Sequence, residues 1–235
     1  NQDVLDIASG AGMGSYYLAK AGAKNVCSGD ISRHALEEGK RKLGNRASSI
    51  NFVLLNAESL PFCSNSFDVI VSIETIEHLA NVNKFLQECN RVLRESGTFI
   101  CSTPNKRISS TFGRSSSPFH TREFNYKDFF DLIGDYFSDV ETWGQSTRLN
   151  WTLQLTTKLF VITGKTLSAI PGGSKIKLLL RWAFYRKSYL PRFEEDFDKM
   201  LDAKYEVSPS KTNSPGIYLV TVARRKKKAE ALKYE

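Results

Sequence analysis

The chain has 235 residues, 33 Lys and Arg against 25 Asp and Glu, a formal net charge of +8, and 41% hydrophobic residues. That length holds one α/β domain with a substantial core plus an elaboration. No apolar run approaches the 18 or so residues of a membrane span and no signal peptide is visible, so a spanning or secreted protein is not expected. Cys27, Cys63, Cys89 and Cys101 form no CxxC pair and read as reduced thiols, mostly buried, in a reducing cytoplasmic setting.

In chain order, Val4-Leu5-Asp6-Ile7 reads as a buried strand that breaks into the glycine-rich turn Ala8-Ser9-Gly10-Ala11-Gly12-Met13-Gly14, with a helix following at once near 13–20. Glycines there permit positive φ and close backbone approach to a ligand, and the new helix offers unpaired N–H groups. A second strand near 25–30 ends in Asp30, an acid about 20 residues past the glycines and so placed to accept hydrogen bonds from ribose hydroxyls. A helix near 32–43, capped by Ser32, strands near 50–55 and 67–73, a helix near 81–94, a strand near 97–103, a helix near 124–136 and a strand near 138–143 follow. Such alternation predicts a parallel sheet covered on both faces. About seventy aromatic and basic residues then precede Gly216-Ile217-Tyr218-Leu219-Val220-Thr221-Val222-Ala223, the candidate last strand; a bare fold would need only a turn there.

A dinucleotide fingerprint would require glycine at position 15, where Ser15 stands. An acid followed by Gly-x-Gly instead resembles the first motif of the class I S-adenosylmethionine (SAM)-dependent methyltransferases of type 11. Asn56-Ala57-Glu58-Ser59-Leu60-Pro61-Phe62 resembles that family's third-strand loop, Ser66–Ser72 its fourth strand, and Arg91–Gly97 its Leu-x-Pro-Gly-Gly turn. The resemblance covers roughly 1–144 and 216–223. It implies a Rossmann-like seven-stranded, mostly parallel sheet in the order 3-2-1-4-5-7-6, helices on both faces and a helical cap insert. The divisions it implies are a SAM-binding core over 1–144, a cap over 145–210, and the last core strand with a basic tail over 211–235. Helices usually precede the first strand in this family, so a chain that starts at Asn1 is expected to be truncated or incomplete.

On that resemblance Asp6 orients the glycine loop and reaches toward the cationic methionine end of SAM. Gly10 and Gly12 allow close approach, Asp30 takes the ribose hydroxyls, Ile31 packs beside adenine, and Asn56 accepts from the adenine amino group. Ala8, Ala57 and Ile73 complete the expected cofactor wall.

Glu74-Thr75-Ile76-Glu77-His78 directly follows the fourth strand, where ligands of open α/β sheets bind. If helical, Glu74, Glu77 and His78 share a face, and His120, after the fifth strand, lies on the same rim. Three readings stand side by side. The set resembles the Mg²⁺ or Mn²⁺ site of small-RNA terminal 2′-O-methyltransferases. His78 or His120 can act as general base, with Glu77 beside them. Or the segment is structural. No metal is the expectation, because His120 sits on a Ser- and Gly-rich loop with nothing in the sequence to fix it. His34 is expected to face solvent.

The charge implies an anionic partner without naming it. Arg224–Lys228 reads as a solvated tail. Lys175–Lys187, with Trp182 and Tyr185, fits a membrane interface or an anionic lipid-linked acceptor; its cations scatter around a helical wheel, which favours a cap helix packed on the domain. In that cap Trp151, Leu155, Phe160, Trp182 and Phe184 are expected to line the acceptor pocket. The function expected is SAM-dependent methylation, on oxygen, of a small-molecule, lipid-linked or glycan-linked acceptor in the cytoplasm. Peripheral membrane contact is kept as an elaboration, with an RNA 2′-hydroxyl and a non-catalytic SAM-binding protein as alternatives.

Overall fold

The computed structural model describes residues 2–106, 120–146, 206–209 and 218–226. The strands are β1 (Asp3–Ile7), β2 (Asn25–Asp30), β3 (Ile50–Leu54), β4 (Phe67–Ser72), β5 (Leu93–Pro104), β6 (Phe137–Ser146), β7 (Glu206–Pro209) and β8 (Tyr218–Arg225). The helices are α1 (Met13–Lys20), α2 (Arg33–Leu43), α3 (Val82–Val92) and α4 (Tyr126–Tyr136).

The sheet runs β3-β2-β1-β4-β5-β8-β6-β7. β1 to β5 pair in parallel, and β8 lies antiparallel between β5 and β6. The expected order of seven strands is therefore present, and the short β7 adds an eighth at the edge. An extended segment there satisfies N–H and C=O groups that an edge strand leaves unpaired. β7 falls within 145–210, so that part of the expected helical cap is strand instead. By contacts the chain divides into 1–145 with 208–235, and 146–207. The cap residues Trp151, Leu155, Phe160, Trp182 and Phe184 lie outside the described residues.

The β1 side chains alternate between two cores. Leu5 and Ile7 join Ile70, Phe85, Phe99, Phe129 and Ile133 on the face covered by α3 and α4. Val4 joins Val69 and Val71 with Leu18 of α1 on the other. Burial of both faces explains why these strands read as continuous apolar runs. Ser32 caps α2 by accepting from the Ala35 N–H at 3.2 Å, as expected. Asn81 and Asn125 cap α3 and α4 in the same way, from Lys84 at 3.0 Å and Asp128 at 2.9 Å.

The last strand runs to Arg225, so Arg224 and Arg225 belong to β8 rather than to the expected tail, and the largest boundary difference lies between α3 and β5. The helix predicted to reach 94 ends at Val92, and β5 begins at Leu93 rather than 97. Leu93 pairs with Phe67 ahead of a register shift, and Ser96 takes a φ of 62°. Leu93 is fully buried, and β4 offers its backbone partners there, so tertiary pairing overrides helical continuation. Among the described residues no helix is long and apolar enough to cross a membrane. Cys27, Cys89 and Cys101 are buried free thiols, and Cys63 is exposed.

Candidate functional site

β1 and β4 are neighbours whose following connections depart to opposite sides of the sheet, which leaves a crevice at their carboxyl ends. The turn after β1 is held by a local network. Asp30 Oδ2 accepts from the Gly10 N–H at 2.7 Å and Oδ1 from the Ser32 N–H at 2.8 Å. Ser9 N–H donates to the Gly29 carbonyl at 3.0 Å, and Ser28 Oγ donates to Ser9 Oγ at 2.8 Å. Below the turn, Ser15 Oγ donates to Asp6 Oδ2 at 2.6 Å. Gly12 has φ +73°, a conformation that favours glycine, and a Cβ there would press on the Phe52 ring edge at 2.7 Å.

Above this turn lies a cavity of about 390 Å³ lined by Ala8, Ile31, Leu55, Asn56, Ala57, Glu58, Glu74, Thr75, His78, Leu79 and Ala80. Of the residues expected at the cofactor, Ala8, Ile31, Asn56 and Ala57 line this cavity, while Asp6, Gly10, Gly12 and Asp30 build the loop beside it. Ile31 and Ile73 are left 73% and 48% exposed, apolar surface open to a flat ligand. Asn56 Oδ1 accepts from the Glu58 N–H at 2.9 Å, so it shapes the turn and keeps one lone pair for a ligand.

The rim after β4 is not the helix that would align three side chains. Glu74 has φ 52°, and only Ile76–His78 form a short 3₁₀ turn. Glu74 Oε1 accepts from Ser102 Oγ at 2.8 Å, whereas Glu77 Oε2 accepts from Thr103 Oγ1 at 3.2 Å. Ser102 and Thr103 are consecutive on β5, so their side chains leave opposite faces of the sheet. The two acids are pulled apart accordingly.

Glu77, His78 and His120 do converge, with one ligand-type atom from each within 4.8 Å of the others. The imidazoles meet edge to face with centroids 4.8 Å apart. Glu77 is buried, and burial pushes its carboxyl above the ordinary range, partly offset by its own backbone N–H, by His78, by Thr103 and by His120. Glu77 Oε1 and His120 Nδ1 are buried without a hydrogen-bond partner. The residues that directly follow His120 are tethered to the rim. Thr121 N–H and Arg122 N–H donate to the Glu77 carbonyl at 2.8 and 3.3 Å, and Thr121 Oγ1 bridges the Glu77 and Leu79 carbonyls at 2.9 and 3.0 Å. A lone Thr beside a His carries no sequence signal for such a tether. His34 is exposed on α2.

Residues 5–101 match the family described as a methyltransferase domain. A probable S-adenosylmethionine-dependent methyltransferase of Mycobacterium tuberculosis is 36% identical over 146 residues, covering 61% of this chain and 51% of that protein. The ubiquinone/menaquinone biosynthesis C-methyltransferase of Rickettsia felis is 32% identical over 153 residues, 62% of this chain and 55% of that protein. A SAM-dependent methyltransferase of Thermotoga maritima shares the fold at a TM-score of 0.61 with 15% identity, over 96% of this chain and 83% of its own. Residues 5–101 thus match a methyltransferase domain, and the described fold is that of the SAM-dependent methyltransferases to which the chain is similar. It spans about half the length of the curated relatives it matches.

The residues present fit SAM. Each Asp30 oxygen is engaged by one backbone N–H and keeps a further lone pair for a ribose hydroxyl. Ile31 presents an open apolar face that would suit the adenine. Asp6 does not line the cavity; it acts through Ser15 at the start of α1. Burial, with Asp30 nearby and Ser15 opposing, pushes its carboxyl up to about 6, an acid that a cationic ligand end would ionise.

That acid holds its proton more tightly in the folded chain than in the unfolded one. Its contribution to stability is therefore full below its ordinary 3.8 and is lost as pH rises toward about 6. The ligand-free methyltransferase domain is expected to lose denaturant resistance across that window, and Asp6→Asn to flatten the fall. An unchanged slope in Asp6→Asn would assign it elsewhere.

Gly39 was not visible as a site residue, although a glycine inside a helical pattern is itself a packing signal. A Cβ at Gly39 would stand 2.3 Å from the Ala11 carbonyl oxygen, so its absence lets α2 press against the glycine loop. Gly39→Ala is expected to displace that loop and weaken SAM binding despite the better helix propensity of alanine. Isothermal titration with SAM checks it, and unaltered affinity with raised stability would refute the packing argument.

Proposed function

We propose that this protein transfers the SAM methyl group to an oxygen of a small-molecule, lipid-linked or glycan-linked acceptor. The observation that carries the reading is that His78 and Glu74 share one cavity wall with the cofactor residues Ala8, Ile31, Asn56 and Ala57. An acceptor on that wall lies next to the donor.

SAM supplies a methyl carbon already activated on a sulfonium. The acceptor oxygen bonds to that carbon as the C–S electron pair returns to sulfur, and the hydroxyl proton must leave. The glycine loop and Asp30 hold the donor in register, which is the larger part of such catalysis. His78, which lines the cavity, is proposed to assist the departing proton, with His120 and Glu77 clustered behind it. The acceptor-facing specificity is proposed to come from 145–210, whose aromatic and basic residues suit an anionic or membrane-associated substrate.

A carbon acceptor is the second reading, supported by the similarity to the Rickettsia felis C-methyltransferase. Screening phenols, polyols and lipid- and glycan-linked hydroxyls for S-adenosylhomocysteine release, with mass and NMR identification of the methylated atom, separates them. Product methylated at carbon alone would replace the oxygen reading. Absence of turnover on any acceptor, with SAM bound, would favour a SAM-binding regulator.

A further inference from the structure

We infer that Glu77, His78 and His120 hold a divalent cation of borderline softness, such as Zn²⁺, Mn²⁺ or Fe²⁺, at the acceptor rim. The inference deepens the proposed function by naming how the acceptor oxygen is activated, and it rests on that reading only for its catalytic consequence.

Three observations carry it. First, the donor atoms of these residues lie within 4.8 Å of one another, a spread that small side-chain rotations close to the distances around one ion. Second, two of the donors are orphaned: Glu77 Oε1 and His120 Nδ1 are buried with no hydrogen-bond partner. The Glu77 side chain is only 1% exposed. A buried carboxylate oxygen without a donor is costly, and no Lys or Arg salt bridge to Glu77 occurs among the described residues. Its nearest ion-pair contact is His78 Nε2, at 3.9 Å, too long for a hydrogen bond. A cation between them satisfies both atoms at once.

Third, the ligands are oriented from behind. Thr103 Oγ1 fixes the other Glu77 oxygen at 3.2 Å. The Thr121 bonds to the Glu77 and Leu79 carbonyls hold the His120 segment against the 3₁₀ turn. Outer-shell support of this kind is what metal sites require.

The donor set chooses the ion. Two imidazoles with one carboxylate suit zinc, manganese or iron, whereas Mg²⁺ prefers oxygen donors and keeps its water. Glu74, hydrogen-bonded to Ser102, stands outside the set. Three protein ligands leave open positions, and His78, 41% exposed on its side chain, opens the site to the cavity. An acceptor hydroxyl coordinated there would lose its proton more readily than a free one.

The test is titration of the purified, chelator-stripped protein with Zn²⁺, Mn²⁺ and Mg²⁺ separately, without SAM or acceptor. Co²⁺ absorption reports the coordination. One site is expected, tighter for Zn²⁺ and Mn²⁺ than for Mg²⁺. Thr103→Val should weaken it roughly 10–100-fold, and Glu77→Gln, His78→Asn and His120→Asn should weaken it at least as much. His78→Asn sits at a half-exposed position, so it keeps the test valid if Glu77→Gln fails to fold. Undetectable binding, or Zn²⁺ affinity unchanged in His78→Asn and His120→Asn, overturns the inference. S-adenosylhomocysteine release that survives a chelator would overturn the activation of the acceptor oxygen by the cation while leaving the methyl-transfer reading intact. Metal bound at these residues with no methyl transfer would sink that reading instead.

Discussion

Replacing His78 or His120 by Asn is expected to cut methyl transfer by roughly 10²–10⁴, the usual range for losing assistance to a departing proton. SAM affinity should be little changed. The two effects separate because the rim and the cofactor loop are built from different elements. His78 stands on the 3₁₀ turn after β4 and His120 on the segment tethered by Thr121, whereas the loop is held by Asp30 and Ser28. Single-turnover S-adenosylhomocysteine formation beside a SAM titration checks it. Parallel loss of SAM affinity would make the histidines part of the cofactor wall; full turnover in both variants would reduce them to scaffold.

Asp30→Ala is expected to weaken SAM binding by roughly ten- to a hundred-fold. At least one charge-assisted hydrogen bond to the ribose is lost, worth about 1.5–3 kcal/mol. The structure adds a second cause. Asp30 is buried and satisfies the Gly10 and Ser32 N–H groups, so its removal also loosens the turn that approaches the ligand. Asp30→Asn separates the two, since its one amide oxygen can still satisfy one of the two N–H groups, but without the charge. Wild-type affinity in a folded Asp30→Ala protein would remove the ribose assignment.

The glycine loop and the acid beside it were legible because their signals are local. Gly10, Gly12 and Asp30 lie within one strand-turn-helix-strand unit, and chain geometry alone brings the end of β2 beside the turn after β1. The apolar runs of β1 and β4, the acid that ends β2 and the capping residue Ser32 set those elements to within a residue or so. The same locality misled at 93–96, where an amphipathic pattern continued but pairing with β4 made Leu93 strand.

The rim was only half legible for the opposite reason. Glu74, Glu77 and His78 look equivalent at helical spacing, and their separation depends on Ser102 and Thr103 projecting from opposite faces of β5, 26 to 28 positions away. His120 read as untethered because the carbonyls that hold Thr121 belong to residues 42 to 44 positions earlier. Periodicity, glycines and a strand-end acid therefore determined the α/β order and the glycine loop with Asp30 beside it. Which acids and histidines meet was decided by the sheet, because long-range pairing and the alternation of side chains across a strand set directions that no nearby residue encodes.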